Sequence, residues 1–83
     1  MNLPRLRRFK TKDSSMLRSV WFVSSIRKTW LFAEFKNGSL YSYDKVPFKT
    51  YKTLKSINNK NGSVGSNFHD LVKLQDYKYS RVL

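Results

Sequence analysis

The residues that could carry acid–base chemistry are few in this chain and follow no motif. His69 is the only histidine, and the five acidic residues are scattered: Asp13, Glu34, Asp44, Asp70 and Asp76. His69 adjoins Asp70, but adjacent side chains on a helix point about 100° apart and do not readily face one another. We therefore interpret this pair as an ordinary helix surface and expect no catalytic residue. An enzyme is the weakest of our hypotheses, and His69 is its best candidate.

Metal and phosphate motifs are also lacking in the sequence. The chain has no cysteine, and its histidine and carboxylates do not have the spacing of a metal site, which normally needs about three protein ligands. The segment NGSVGSN at 61–67 contains glycines but lacks the Gly-Lys-Ser/Thr ending of a phosphate-binding loop. We therefore expect no metal, no cofactor and no small-molecule substrate.

The charge balance favours a binding function. Seventeen Lys and Arg residues against five Asp and Glu residues give a formal net charge of +12 over 83 residues. Such a field attracts nucleic acids, acidic protein surfaces and anionic membranes without distinguishing them. Three segments supply the predicted basic contacts: Arg5, Arg7, Arg8, Lys10 and Lys12, then Arg27 and Lys28, then Lys49, Lys52 and Lys55.

Length and hydropathy limit the chain to one small domain with a modest core. A domain near this size buries roughly 60% of the surface of its unfolded chain. No apolar run approaches the roughly 20 residues of a membrane span, and the N-terminal residues lack the apolar stretch of a signal peptide. We therefore expect a soluble, cytoplasmic protein that makes no membrane contact. It divides into a basic arm at residues 1–12 and a domain at residues 13–83.

The basic arm has more than one interpretation. It contains no acidic residue, so it suits a disordered terminus or a segment that becomes ordered on contact with phosphates or an acidic surface. The spacing of Leu3, Leu6 and Phe9 also allows a short amphipathic helix.

Alternating apolar residues predict three strands in an antiparallel meander. The strands are predicted at 17–24, 29–36 and 40–46. Asn37-Gly38 predicts a type I′ hairpin turn between the last two, because both residues tolerate positive φ. Connections this short cannot join parallel strands.

Helical spacing follows the meander. A helix is predicted from Pro47 to about Asn58, where a run of Asn and Gly residues ends it. Ser66 is expected to cap a second, short helix, and residues 76–83 alternate weakly as a further extended segment. We therefore predict an α+β fold, with a three-stranded meander packed against one long and one short helix and an extra C-terminal strand.

The strand alternation separates two faces of the sheet. One face is predicted to pack against the helices and includes Val20, Phe22, Leu31, Ala33, Phe35, Tyr41 and Tyr43. We interpret the two tyrosines as core residues and not as a ligand site. The opposite side, here called the aromatic face, carries Trp21, Val23, Trp30, Phe32 and Leu40. Trp21, Trp30, Phe32 and Leu40 are its predicted contact residues.

Three explanations compete for the aromatic face. The basic arm or the C-terminal segment could fold over it and make it a second layer of core. It could be a protein interface, including one for self-association, since Trp and Phe are frequent anchors. It could stack nucleic-acid bases, with Arg18, Arg27, Lys28 and Lys36 nearby for phosphates, although it lacks the RRM signature. Lys49, Lys52 and Lys55 are most simply the solvated side of the helix.

A pattern of residues from Ser14 onward carries a family resemblance. It comprises Ser14, Ser15, Leu17, Val20 and Phe22, then Phe35, Gly38, Tyr41, Tyr43, Val46 and Pro47, then Tyr51 and Leu54, and finally Ser63, Gly65, Phe68 and Val72. This pattern resembles the KTSC family, a small domain named after the C-terminal extension of some lysyl-tRNA synthetases. The chain departs from the family pattern at Asn67 and His69.

The resemblance implies a small α+β domain without an established activity, found as an appendage or as a stand-alone protein of bacteria and their phages. With its basic arm and its many Lys and Asn residues, this chain looks like a phage-encoded protein. Our first hypothesis is a non-enzymatic regulatory or inhibitory protein that docks on an acidic surface of a host protein, in the host cytoplasm. The alternative is an RNA- or DNA-binding domain that uses the basic arm and the aromatic face.

Overall fold

Five strands form one antiparallel sheet whose spatial order follows the chain. The computed structural model describes residues 5–12 and 14–83. The strands are β1 (Arg5–Lys10), β2 (Leu17–Ser24), β3 (Thr29–Phe35), β4 (Leu40–Asp44) and β5 (Tyr79–Arg81). The helices are α1 (Phe48–Asn59) and α2 (Val64–Phe68), and α2 continues into a π-helical turn at His69–Lys73. The predicted α+β fold is confirmed.

The three central strands form the predicted meander. β3 pairs with β2 on one side and with β4 on the other, in both cases antiparallel. The inner side of these strands forms the core with residues that are at most 8% exposed: Val20, Phe22, Leu31, Ala33, Phe35 and Tyr43. Tyr41 is half-buried and packs against this cluster. The alternation of apolar residues therefore identifies the core side of the sheet.

The sheet is wider than the predicted meander, because the predicted C-terminal strand joins one edge as β5 and an unpredicted strand joins the other. Residues 5–10 of the basic arm form β1, which pairs with β2 along its whole length. Phe9 enters the core and Leu6 is 59% exposed, since residues three apart on a strand point to opposite faces. The short helix considered for this segment is therefore replaced by a strand. Met1–Pro4 of the arm, with Leu3, and Asp13 lie outside the described residues.

The turn between β3 and β4 is a three-residue loop and not the predicted type I′ turn. Gly38 has a φ of 93°, but Asn37 lacks the positive φ that a type I′ turn needs at both central positions. The Gly38 N–H donates to the Phe35 carbonyl at 3.0 Å, and the Phe35 N–H donates to the Ser39 carbonyl at 2.9 Å. This pattern is a type I turn followed by a glycine in the left-handed region.

β4 ends at Asp44, two residues before the predicted end at Val46. Lys45 has a φ of 61°, which breaks the extended conformation. The turn is held because the Lys45 N–H donates to the Thr29 carbonyl at 2.9 Å and the Thr29 hydroxyl donates to the Val46 carbonyl at 2.8 Å. Val46, which is 0% exposed, therefore enters the core from a turn.

α1 covers the inner side of the sheet with Tyr51 and Leu54, which are 1% and 0% exposed. The Tyr51 ring lies 5.6 Å from the rings of both Phe9 on β1 and Phe22 on β2, measured between centroids. These contacts hold the helix over the first two strands. No helix in residues 5–12 and 14–83 is long and apolar enough to cross a membrane.

α1 ends in a Schellman motif, at the predicted run of Asn and Gly residues. The Gly62 N–H donates to the Ile57 carbonyl at 2.8 Å, and the Asn61 N–H donates to the Asn58 carbonyl at 3.1 Å. Asn61 takes the left-handed position with a φ of 59°. A Cβ atom at position 62 would lie 2.8 Å from Cγ2 of Ile57, so a residue larger than glycine requires a local shift.

α2 begins three residues earlier than predicted. Its N-cap is Ser63, whose hydroxyl accepts the Ser66 N–H at 3.4 Å, so Ser66 is the capped residue and not the cap. Val64 and Phe68 of α2 and Val72 of the π-helical turn are at most 1% exposed. They complete the core over β3 and β4.

Asn58 ties the end of α1 to the end of β1. Its amide nitrogen donates to the Lys10 carbonyl at 2.9 Å, and its amide oxygen accepts the Lys12 N–H at 2.9 Å. The side chain is 3% exposed, so both bonds are sheltered from water. The Asn58 side chain thus binds the backbone of Lys10 and Lys12 in the way that a neighbouring strand would.

We expect Asn58→Ala to lower the free energy of unfolding by about 2 kcal/mol, because two sheltered hydrogen bonds are lost. The matched control is Asn59→Ala, which makes the same chemical change at an exposed position of α1. Urea unfolding followed by circular dichroism measures both. Equal unfolding midpoints for the two variants would contradict the structural role of Asn58.

Candidate binding surfaces

The pair His69 and Asp70 lies on the exposed surface of the π-helical turn. The His69 Nδ1 and Asp70 Oδ1 atoms are 3.4 Å apart, so the side chains approach one another more closely than expected from helical geometry. They are 56% and 66% exposed, and the contact is long for a hydrogen bond. In the described ranges, no group of three or more His, Cys, Asp or Glu residues has the geometry of a metal site.

The aromatic face lies on the side of the sheet away from the helices, as predicted. Trp21 on β2 stands directly opposite Phe32 on β3, and Val23 stands opposite Trp30. These four side chains and Leu40 on β4 are all half-buried. Cross-strand neighbours of this kind pack against one another, so the residues form a continuous apolar patch.

Hydrogen bonds and a cation fix the orientation of Trp21. Its indole N–H donates to the Ser19 hydroxyl at 2.9 Å, and that hydroxyl donates to the Glu34 carboxylate at 2.7 Å. Ser19 is 2% exposed. The guanidinium carbon of Arg8 on β1 lies 5.0 Å from the centre of the Trp21 ring, in a cation–π contact. This part of the aromatic face is therefore rigid before any partner binds.

The backbone of the described parts of both termini lies beside the aromatic face and not over it. β1 pairs with β2 at one edge of the sheet, and β5 pairs with β4 at the other. Val82 continues along β4, donating its N–H to the Leu40 carbonyl at 2.7 Å. Within residues 5–12 of the basic arm, Arg8 alone makes a cation–π contact with this face.

A second surface is basic and lies where β1 meets α1. The guanidinium carbon of Arg7 lies 5.0 Å from the centre of the Phe48 ring, and Nζ of Lys52 lies 5.9 Å from the same ring. A shallow cavity of about 560 Å³ runs along α1 beside Phe48 and is here called the α1 groove. Its lining includes Phe48, Lys49, Lys52, Ser56, Ile57 and Lys60. Two segments of predicted basic contacts are thus brought together.

The other predicted basic contacts are more dispersed. Arg27 and Lys28 lie in the turn between β2 and β3, and Arg5 is opposite Ser24 at that end of the sheet. Lys10 and Lys12 flank the Asn58 contact at the other end of β1. Lys55 is exposed on α1.

All seventeen lysine and arginine residues are exposed. Among the described residues, none of them forms an ion pair with an aspartate or glutamate side chain. Residues 45–69 contain no acidic residue at all, so α1 and its groove have no carboxylate of their own. The positive charge of the chain is therefore directed to solvent.

A tyrosine-lined cavity of about 920 Å³, which was not predicted from the sequence, lies between β4, β5 and the π-helical turn. Its lining includes Phe35, Tyr41, Tyr43, Lys73, Tyr77 and Tyr79. Tyr43 stands directly opposite Tyr79, with the ring centroids 5.8 Å apart. Burial raises the pKa of Tyr43, and the neighbouring Tyr41 and Tyr79 raise it further. The repeated Tyr-x-Tyr spacing at 41–43 and 77–79 is the signal that could have revealed it.

Tyr51 has a buried hydroxyl without a hydrogen-bond partner in the described part of the chain. The ring is anchored by Phe48, which stacks on it at 6.0 Å between centroids, and by the core aromatics. Burial raises the pKa of Tyr51, and the nearby Arg7 opposes this increase. An unsatisfied buried hydroxyl costs stability, because its hydration is lost and nothing replaces it.

We expect Tyr51→Phe to raise the free energy of unfolding by about 1 kcal/mol at neutral pH, since the unsatisfied hydroxyl is removed. The variant should also lose less stability above pH 10. In the wild type, the unfolded chain releases the Tyr51 proton near the ordinary pKa of 10.0, whereas the folded chain releases it at a higher pH. Stability due to this group is thus complete below pH 10 and is lost as the pH rises towards the folded-state pKa.

Urea unfolding between pH 7 and pH 11 measures both effects. Tyr79→Phe, which removes a hydroxyl from a side chain that is 64% exposed, is the matched control. A loss of stability in Tyr51→Phe at neutral pH would show that the hydroxyl is satisfied in solution.

Most of the residues that carry the family resemblance are structural. Tyr43, Val46, Leu54, Phe68 and Val72 are at most 5% exposed. The Ser14 hydroxyl accepts the Leu17 N–H at 3.0 Å at the start of β2. A Cβ atom at Gly65 would lie 3.2 Å from this hydroxyl oxygen, so the small residue allows α2 to approach the turn.

Comparison with known proteins supports the resemblance. No curated protein matches the chain significantly. The model of the KTSC domain family matches residues 13–77, which include β2 to β4 and both helices and leave out β1 and β5. The chain therefore belongs to the KTSC domain family.

Proposed function

We propose that this protein is a non-enzymatic binding module that docks on an acidic surface of a partner protein. One observation carries the proposal: a half-buried apolar patch, rigid at Trp21, adjoins the arginines of β1, and in the described part of the chain these form no ion pair with a carboxylate. Arg8 joins the two features, because it lies on Trp21 and belongs to the basic strand β1. Exposed apolar patches with a polar rim are typical of contact sites.

The composition of the aromatic face favours a protein over stacked bases. Val23 and Leu40 are aliphatic and offer no ring for a base to stack on. The Trp21 ring is already in contact with Arg8, and its indole N–H is bonded to Ser19. Trp30 and Phe32 are half-buried anchors of the kind that contribute most of the binding energy at protein interfaces.

The excess of exposed cations supplies attraction and the aromatic face supplies anchoring. A positive field raises the association rate with an acidic partner and fixes its orientation, whereas buried aromatics slow dissociation. The proposal includes a regulatory or inhibitory effect on a bacterial host protein, with this chain encoded by a phage. The small size and the excess of charge support that extension.

We expect affinity capture from nuclease-treated lysate to retain one acidic protein in stoichiometric amount. Trp30→Ala should reduce its affinity at least about tenfold, as the truncation of an aromatic anchor does. Ile26→Ala, at a position in the β2–β3 turn that is 71% exposed, is the matched control and should retain the partner. Circular dichroism confirms that both variants are folded. If no protein is retained in stoichiometric amount, the proposal is wrong.

A nucleic acid is the second candidate, and the α1 groove favours it. Arg7 and Lys52 both contact the Phe48 ring, and in residues 5–12 and 14–83 neither forms an ion pair with a carboxylate. A phosphate placed beside this ring would be attracted by both cations.

If the second candidate is correct, the triple variant Arg5→Ala, Arg7→Ala and Arg8→Ala will flatten the salt dependence of RNA binding. The slope of log affinity against log salt should fall by about 2, since each lost contact with single-stranded RNA accounts for about 0.7. The matched control is Lys73→Ala, Lys78→Ala and Arg81→Ala, which removes the same charge from the C-terminal region. Fluorescence anisotropy with a labelled 20-nucleotide RNA gives the slopes. No binding at low salt, or equal slopes in both variants, would exclude a specific basic site.

A further inference from the structure

Within residues 5–12 and 14–83, the outer edge of β1 pairs with no other strand. β1 is the first strand in the order of the sheet, and it has β2 on one side only. Five of its six residues are exposed. Among the described residues, the other edge of the sheet is shorter, because β5 covers only Tyr79–Arg81.

The hydrogen-bond pattern shows which backbone groups point outward from β1. The Thr11 N–H donates to the Arg18 carbonyl of the adjoining strand at 3.0 Å, in the same register as the pairing of β1 with β2. Residues of an antiparallel strand alternate between those bonded to the neighbour and those facing away. The odd-numbered residues of β1 therefore face β2, and Leu6, Arg8 and Lys10 direct their N–H and carbonyl groups to the free edge.

Asn58 confirms this direction and marks where the free edge stops. It binds the Lys10 carbonyl and the Lys12 N–H, which belong to the outward set. The groups left for a partner are the N–H and carbonyl of Leu6 and Arg8 and the N–H of Lys10. They form a ladder long enough for one short extended segment.

We propose that an acidic, extended segment of a partner protein adds to β1 as a sixth strand of the sheet. The inference rests on the proposed function and deepens it, because it specifies how the acidic partner binds. Backbone hydrogen bonds supply part of the affinity in such strand addition, and alternate side chains supply specificity.

Charge complementarity identifies the occupant as acidic. An added strand would place its side chains alternately beside Arg8 and Lys10, on the side of the aromatic face, and beside Arg7 on the helix side. Lys52 lies at the same Phe48 ring as Arg7, so cations flank the ladder on both sides. Carboxylates opposite these residues form favourable cross-strand pairs.

The same charges disfavour a second copy of this chain. Pairing of two β1 strands would place Arg5, Arg7, Arg8 and Lys10 of one copy against those of the other, and like charges on paired strands repel. Lysine and arginine on an exposed edge commonly prevent pairing between identical copies. The charge of β1 therefore favours pairing with an acidic strand and disfavours pairing with β1 of a second copy.

The test compares Leu6→Pro with Leu6→Ala. Both remove the exposed Leu6 side chain without changing the charge, but only proline removes the outward N–H and places its ring where the added strand would lie. The probe is a fluorescent, blocked seven-residue peptide of alternating threonine and glutamate. A control probe, measured with the wild-type protein, is the same peptide with all its backbone amides N-methylated. It keeps its negative charge but has no backbone N–H donor.

We expect Leu6→Pro to bind the peptide about tenfold more weakly than Leu6→Ala in fluorescence anisotropy, and N-methylation to weaken binding to the wild type similarly. The amide protons of Leu6 and Arg8 should gain protection from hydrogen exchange when the peptide is bound to the wild type. This measurement does not depend on the folding of the proline variant. Absence of peptide binding, of amide protection or of any effect of N-methylation would overturn strand addition.

The triple variant Arg5→Ala, Arg7→Ala and Arg8→Ala separates a failure of strand addition from a failure of the proposed function. If that variant loses the captured acidic protein while Leu6→Pro retains it, the acidic partner stands and strand addition is wrong. If the wild type retains no acidic protein, the proposed function fails whatever the peptide does.

Discussion

The packing of α1 on β1 and β2 is the interaction on which the rest of the structure depends. Tyr51 contacts aromatic rings on both strands, and Asn58 binds the backbone just beyond β1. These contacts seat the first strand in the sheet although four of its six residues are basic and its side chains are mostly exposed. Because β1 is fixed, Arg7 lies against the helix and Arg8 against the opposite side of the sheet.

That division gives one strand two electrostatic roles. Successive residues of β1 point to opposite faces, so the arginines at 7 and 8 serve different surfaces although they are adjacent in the chain. On one side the cation caps an aromatic ring within a rigid hydrogen-bonded network. On the other side, Arg7 and Lys52 contact the same Phe48 ring, and neither is paired with a carboxylate within the described chain. The domain therefore presents one ordered apolar surface and one surface of unsatisfied charge.

The sequence predicted the features that depend on local periodicity and missed those that depend on register or on unusual backbone conformations. The alternation at Val20, Trp21 and Phe22 was sufficient to separate core from surface. The spacing of Leu6 and Phe9 was ambiguous, and only the pairing with β2 selects a strand. β4 ends early because Lys45 has a positive φ. This conformation is uncommon for lysine, so nothing in the sequence indicated it.

The candidate surfaces follow the same rule. Alternation placed Trp21, Trp30, Phe32 and Leu40 on one side, but the contact of Arg8 with Trp21 required the register of β1. The contact of Arg7 and Lys52 with the same Phe48 ring depends on the position of α1 relative to the sheet. No local sequence pattern specifies that position. The tyrosine cavity likewise arises from the pairing of β4 with β5, two strands distant in the chain.

The aromatic face has a practical consequence for spectroscopy. The chain has two tryptophans, and both lie on this face. Its intrinsic indole emission therefore comes from a single side of the sheet, with one emitter under a guanidinium and the other free of that contact among the described residues. An occupant that excludes water there shifts the emission to the blue, whereas one confined to the helix side leaves it unchanged. The unlabelled protein thus reports which of its surfaces is in use.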